Sequence, residues 1–413
     1  MKIVSVASSV GRAGVSSAHI SKLFMLRTNR GLSCHSLVGF PMKNSGGGKL
    51  FTRRRKVNAM QRCNGVFSAI GWAVISVCVL TMIGCSSGPA KKEKIDLFWP
   101  APPDPAKIRY IDSFYGQSNY ADKSSFKAAL LGVETQGLQL KKPYGVTTSR
   151  DGKKMYVTDT KLHALVVFDF ETESVYPFQT DAMGGLTTPL DVRIDSKERI
   201  FVSDSAAGRV NVYSKEGVTL LTLGDGEGLQ RPTGIAIDEA TNRLYVSDTP
   251  SHRILIYTLD GEFIDEMGER GSAPGELNFP ISLAVDKKSN LYVVDSGNFR
   301  VQIFSPEGEF LRSIGKLGDS FGSFARPKGI ALDSDENLYV LDAAFNNFQI
   351  FNGDGALMLF VGALGRRPGM FWLPTGIHID KDDKIFVADS INARIQVFQL
   401  LDDEQPASDS AEK

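Results

Sequence analysis

Cysteine is absent from everything after residue 85: the four in the chain are Cys34, Cys63, Cys78 and Cys85. The long C-terminal part therefore holds neither a disulfide nor a thiolate metal site. Acidic residues are absent from residues 1–84, which carry twelve Lys plus Arg. The whole chain is balanced at 47 basic and 47 acidic residues, so the remainder holds 35 basic against 47 acidic, a net of −12. A domain of that sign is a poor partner for a phosphate backbone, and no nucleic-acid binding is expected. Histidine is also scarce, with only His163, His252 and His378 beyond the leader.

What is present is repetition. The phrase P-x-G-I-A-I-D, a turn, L-Y-V-x-D-S/T, a turn, then R-I-x-I-F/Y opens at Pro143, Pro189, Pro232, Pro280, Pro327 and Pro374. Its internal aspartate recurs at Asp159, Asp204, Asp248, Asp295, Asp342 and Asp389, with gaps of 45, 44, 47, 47 and 47 residues. A fixed period of that size marks a repeated supersecondary unit. Each unit holds four short runs rich in Val, Ile, Tyr and Phe, bounded by Gly, Asp, Asn and Ser, and these read as antiparallel strands. Four strands in each of six units predict an all-β fold, a six-bladed β-propeller, over residues 107–400. The sixth unit lacks its outer strand. Ile108–Gly116 resembles the fourth strand of unit four, Glu309–Gly315, and is expected to complete blade six, because an open blade leaves unpaired backbone groups.

The N-terminal part reads differently. Residues 1–59 show no strand or helix period and form a leader upstream of a second possible start, Met60. Residues 60–84 have a basic start, an apolar run from Val66 to Gly84 and a small residue before Cys85, the parts of a secretion signal. Met82-Ile83-Gly84-Cys85 resembles a bacterial lipobox, which implies acylation of Cys85 and attachment to a membrane. The competing reading of that run is an uncut membrane-spanning helix. Residues 85–106 read as a tether stiffened by Pro100, Pro102, Pro103 and Pro105. Residues 401–413 read as a disordered acidic tail.

The repeated phrase resembles the NHL repeat from Ile108 to Leu400. The whole layout of lipobox, tether and closing strand resembles bacterial NHL-type lipoproteins. The resemblance implies a platform for a partner in the cell envelope, at the outer membrane or the outer face of the inner membrane. A minority of NHL propellers are zinc-dependent lyases, whose histidines lie next to the proline that opens each inner strand. The matching residues here are Tyr144, Leu190, Thr233, Ile281, Lys328 and Thr375, so neither zinc nor another cofactor is expected.

In blades two, three, four and six the aspartate is followed five residues later by arginine, which suggests the structural pairs Asp204–Arg209, Asp248–Arg253, Asp295–Arg300 and Asp389–Arg394. Blades one and five put Ala164 and Asn347 there, which would leave Asp159 and Asp342 free. Asp333–Asn337 and Asp380–Asp383 lack the glycine of a calcium loop and read as turns.

The least symmetric signal lies on the inner strands. Blades three, four and five have Ala236, Ala284 and Ala331 at the fourth residue after the proline, whereas blades one, two and six have Thr147, Arg193 and His378. Asp191 replaces a small residue two places before Arg193. With Tyr144, and with Trp372 in the loop entering blade six, these form the candidate binding set for an anionic ligand, a glycan or an envelope protein. A 27-residue connection into blade one, with a short helix over 124–132, overhangs them. No catalytic residue stands out. The function expected is lipid-anchored binding or scaffolding; the alternative is a lyase or lactonase-like hydrolase acting at the channel mouth through Asp191, Arg193 and His378.

Overall fold

A computed structural model describes residues 95–120, 137–181, 185–224 and 228–401. The leader, the signal segment, Cys85, the helix expected over 124–132 and all but the first residue of the acidic tail lie outside them.

Six antiparallel sheets surround one axis. Their inner strands are Pro143–Thr148, Pro189–Ile194, Pro232–Asp238, Pro280–Val285, Pro327–Leu332 and Pro374–Ile379. Each inner strand contacts the next around a closed circle. The strands form because Val, Ile, Tyr and Phe alternate between two faces that are both covered by neighbouring blades. The core accordingly lies between the blades: Phe201, Val212, Ile235 and Val246 share one cluster, and Phe348, Phe371, Ile377 and Phe398 share another. Among the described residues, helix is confined to three single turns.

Blade six is completed from the N-terminal side. Ile108–Phe114 pairs antiparallel with Arg394–Leu400, with Ile108 opposite Leu400 and Phe114 opposite Ile395. Ile108 is fully buried, and Tyr110 meets Phe398 edge-to-face at 5.7 Å. The chain adds one element not expected from its sequence. Within the segment read as a free tether, Phe98–Trp99 forms a fifth strand outside Ile108–Phe114. Its Trp99 ring packs against Phe398 at 5.7 Å, so apolar contact wins over extension there.

The blades are stitched together near the axis. Thr158, Ser203 and Ser247 donate hydroxyl hydrogen bonds to the Leu190, Thr233 and Ile281 carbonyls of the next blade, at 2.7, 2.6 and 2.8 Å. At Gly376 the inner strand of blade six comes so near blade one that a Cβ would collide with the Tyr144 carbonyl. Glycine is required there by this approach.

Candidate functional site

The recurring aspartates do not form a catalytic ring. Asp159 Oδ2 accepts from the N–H groups of Lys141 and Lys142 at 2.7 and 2.9 Å, and its Oδ1 accepts from Lys161 and Leu162, both at 3.0 Å. Asp342 does the same for Ala325, Arg326, Ala344 and Phe345. Each carboxylate thus ties the loop entering its blade to the turn after the second strand. The expectation that Asp159 and Asp342 are free is corrected: each is fully buried and saturated by backbone N–H groups.

The arginines are additions to this latch, and they differ from blade to blade. Arg300 and Arg394 donate through Nε to Asp295 and Asp389, both at 2.8 Å. Arg253 stands 3.8 Å from Asp248 and instead bonds Gly228 and Glu266. The expected Asp204–Arg209 pair does not form. The Asp204 carboxylate is taken by the N–H groups of Thr187 and Thr188, and Arg209 reaches the Gly185 carbonyl at 3.3 Å. Where a contact does form it is single and through Nε, not the two-pronged arrangement anticipated.

The candidate binding residues separate into two groups. Tyr144, Asp191 and Arg193 line the mouth of the axis, together with Leu190, Thr233, Ile281, Lys328 and Thr375. Asp191 and Arg193 are engaged with each other, Oδ1 to Nη1 at 3.2 Å. Both also grip blade three: Asp191 Oδ2 accepts from the Ile235 N–H at 2.9 Å, and Arg193 Nε donates to the Ile235 carbonyl at 3.2 Å. Burial pushes the Asp191 carboxyl up, partly offset by Arg193 and by the N–H groups of Ile235 and Val192.

Thr147 and His378 do not line the mouth. Thr147 is buried opposite Tyr156, and His378 lies opposite Phe386. The His378 ring sits 6.0 Å from that phenyl, and its Nε2 lies 3.0 Å from Thr148 Oγ1. Its pKa is pushed down to about 3, chiefly by burial and further by the charge of Arg193. The registers give a structural reason for the asymmetry. Ala236, Ala284 and Ala331 each face a tyrosine, Tyr245, Tyr292 and Tyr339, whereas Arg193 and His378 face Phe201 and Phe386. A longer inner residue is matched by an aromatic without a hydroxyl. Trp372 is half-buried and also outside the mouth lining, with the Arg366 guanidinium 5.2 Å over its ring.

The three histidines are far from forming one site. His163 Nδ1 meets the Thr187 carbonyl, and His252 Nδ1 accepts from the Phe279 N–H at 3.3 Å. No group of three or more His, Cys, Asp or Glu among the described residues is arranged to hold a metal ion. In Asp333–Asn337, Asp333 binds the Asp335 and Asn337 N–H groups and the Tyr339 hydroxyl, which makes the run a turn.

A family model described as a 6-bladed beta-propeller matches residues 229–298 and 281–348, and the NHL-repeat model matches 371–398. This chain is a six-bladed β-propeller of NHL-type repeats. No curated protein matches it. Among solved structures, an auxiliary nutrient binding protein from Bacteroides thetaiotaomicron is similar at 14% identity and a TM-score of 0.52, over 63% of this chain and 70% of that one. A virginiamycin B lyase from Staphylococcus aureus is similar at 17% identity and a TM-score of 0.48, over 64% of this chain and 98% of that one. These are likenesses of fold.

Two features of this NHL-type propeller were not singled out from its sequence. The space left at the axis mouth is about 20 Å³, room for roughly one water molecule. On the flank of blades four and five, Phe321 and Phe360 stack at 4.6 Å while 72% and 40% exposed. Single exposed apolar residues are ordinary in any sequence, so only their meeting in space marks this pair.

Proposed function

We propose that the propeller is a binding and scaffold module of the bacterial cell envelope, held to a membrane by acyl chains on Cys85. The observation that carries the binding part is the exposed, stacked Phe321–Phe360 pair. Leu317, in the connection between those blades, and Met358, on the outer strand of blade five, are also well exposed. Aromatic groups held rigidly at a surface are what a protein partner buries, and this pair fits an apolar face of another envelope protein. The axis mouth supports the same reading by its size: about 20 Å³ holds no substrate molecule unless Arg193 or Tyr144 moves. The rival lyase or lactonase chemistry finds Asp191 and Arg193 spent on each other and on Ile235. The same fold serves a nutrient binding protein, so it is compatible with a binding role.

A photo-crosslinking residue placed at Phe321 in the intact lipoprotein tests the reading. A discrete protein adduct is expected from position 321 and none from Asp354, in a turn between the outer strands of blade five. Equal or absent adducts at both positions would overturn it. The anchor is tested by metabolic labelling with a fatty-acid probe, which Cys85→Ala should abolish.

A further inference from the structure

Four cations stand at the end of the ring where the axis mouth opens, and none has an acidic partner among the described residues. Lys142, Arg231 and Arg326 each stand directly before the proline that opens an inner strand, in blades one, three and five. Every second blade therefore contributes one; their counterparts in blades two, four and six are Thr188, Phe279 and Leu373. The latch aspartates hold their backbones at equivalent positions: the N–H groups of Lys142, Arg231 and Arg326 lie 2.9, 2.9 and 3.0 Å from Asp159, Asp248 and Asp342. Their side chains are exposed, and none makes an ion pair or hydrogen bond among the described residues.

Lys328 follows the proline of blade five, two residues after Arg326. It is half-buried, lines the mouth and has no partner for its ammonium group among the described residues. Burial pushes its pKa down, and the charge of Arg326 adds to the effect. An ammonium removed from water without a counter-charge destabilises a fold. The fold does not need one here, because the equivalent positions in the other blades are Tyr144, Leu190, Thr233, Ile281 and Thr375. The one carboxylate at the mouth, Asp191, is already held by Arg193 and by the Ile235 N–H. The Tyr144 hydroxyl is pushed up to about 12 by burial, then by Asp191, and so remains a protonated donor at neutral pH.

We propose that the mouth of the axis receives an anionic group, a phosphate or a carboxylate carried by a larger ligand. Lys328 is the axial donor, and the exposed Lys142, Arg231 and Arg326 add positive charge at the same end of the ring. The roughly 20 Å³ of space admits one oxygen atom of the anion, and the rest of the ligand lies outside, over the rim. These four positive charges stand on a domain that is acidic as a whole, so they would draw an anion to this end in preference to the rest of the surface. The inference is independent of the flank on blades four and five and stands whether or not that flank holds a partner.

The probes are inorganic phosphate and citrate, with chloride at matched ionic strength as the reference, added to the detergent-solubilised full chain. A ligand that binds only the folded state raises Tm. The wild-type protein should show an anion-specific rise. With phosphate alone it assigns a phosphate group, and with citrate alone a carboxylate. Lys328→Met should lower the affinity for that anion at least tenfold while melting no lower than wild type in chloride. Amine acylation read by mass spectrometry gives a second measurement: the anion should protect Lys328 and leave the exposed Lys316 unchanged. An equal anion-specific rise in Lys328→Met, or none in wild type with either probe, would overturn the proposal. Should Lys328→Met fail to fold, Lys328→Gln and the acylation pattern of the wild type decide the question.

Discussion

Thr148 Oγ1 lies 3.0 Å from His378 Nε2 and so joins the first blade to the last. The imidazole is held neutral, with its pKa pushed from 6.5 down to about 3 by burial and then by Arg193. A histidine whose folded pKa is depressed favours folding above its unfolded pKa. That contribution fades as pH falls below 6.5 and is gone below about 3. At pH 5 the deficit amounts to at most about 2 kcal/mol. Urea denaturation at pH 7 and pH 5 should show a smaller loss for His378→Gln than for the wild type. Equal losses in the two proteins would show that the imidazole does not couple pH to folding.

The latch aspartates should matter more than the arginines beside them. Asp342→Ala strips the acceptor from four backbone N–H groups and is expected to cost on the order of 3 kcal/mol, although blade five has no arginine partner. Arg209→Ala should stay within about 1 kcal/mol of wild type, since Arg209 makes one long bond and its Nε has no partner. Chemical denaturation of both variants checks the order. A larger loss in Arg209→Ala would reverse the assignment of which residue holds the loop.

Arg193→Ala should leave Asp191 buried and without its counter-charge, at a cost of roughly 3–5 kcal/mol. The double change Asp191→Gly with Arg193→Ala reproduces the Gly234 and Ala236 of blade three. It should recover most of the loss, because both halves of the grip on Ile235 leave together. A double-mutant cycle in urea measures this coupling. Additive losses would mean that the two residues act separately.

Deleting residues 107–116 should remove several kcal/mol from a domain total of typically 5–15. It uncovers Phe398 and the backbone edge of Arg394–Leu400. Trp99→Ala should cost less, on the order of 2 kcal/mol, because the ring is only partly buried against Phe398. Thermal unfolding of the two variants gives the comparison. An unchanged Tm after the deletion would refute closure by this strand.

The count of blades, the strand that closes the ring and the recurrence of one aspartate in each blade were legible in the sequence; what those aspartates hold was not. Each recurs or completes a recurrence, and a repeat writes into its period whatever every copy needs in order to fold. Three other features came only from the tertiary structure. Asp204 and Arg209 share the spacing of Asp389 and Arg394, yet only the second pair meets, because the surrounding loops offer each arginine different carbonyls. Thr147, Arg193 and His378 break the same column, but cross-strand partners send them to different places. Lys328 is the one charge in a column of Tyr, Leu, Thr and Ile, and it gained meaning only when all six blades converged on it. Local pattern determines an element and its period. What a lone side chain faces depends on residues brought from far along the chain by ring closure.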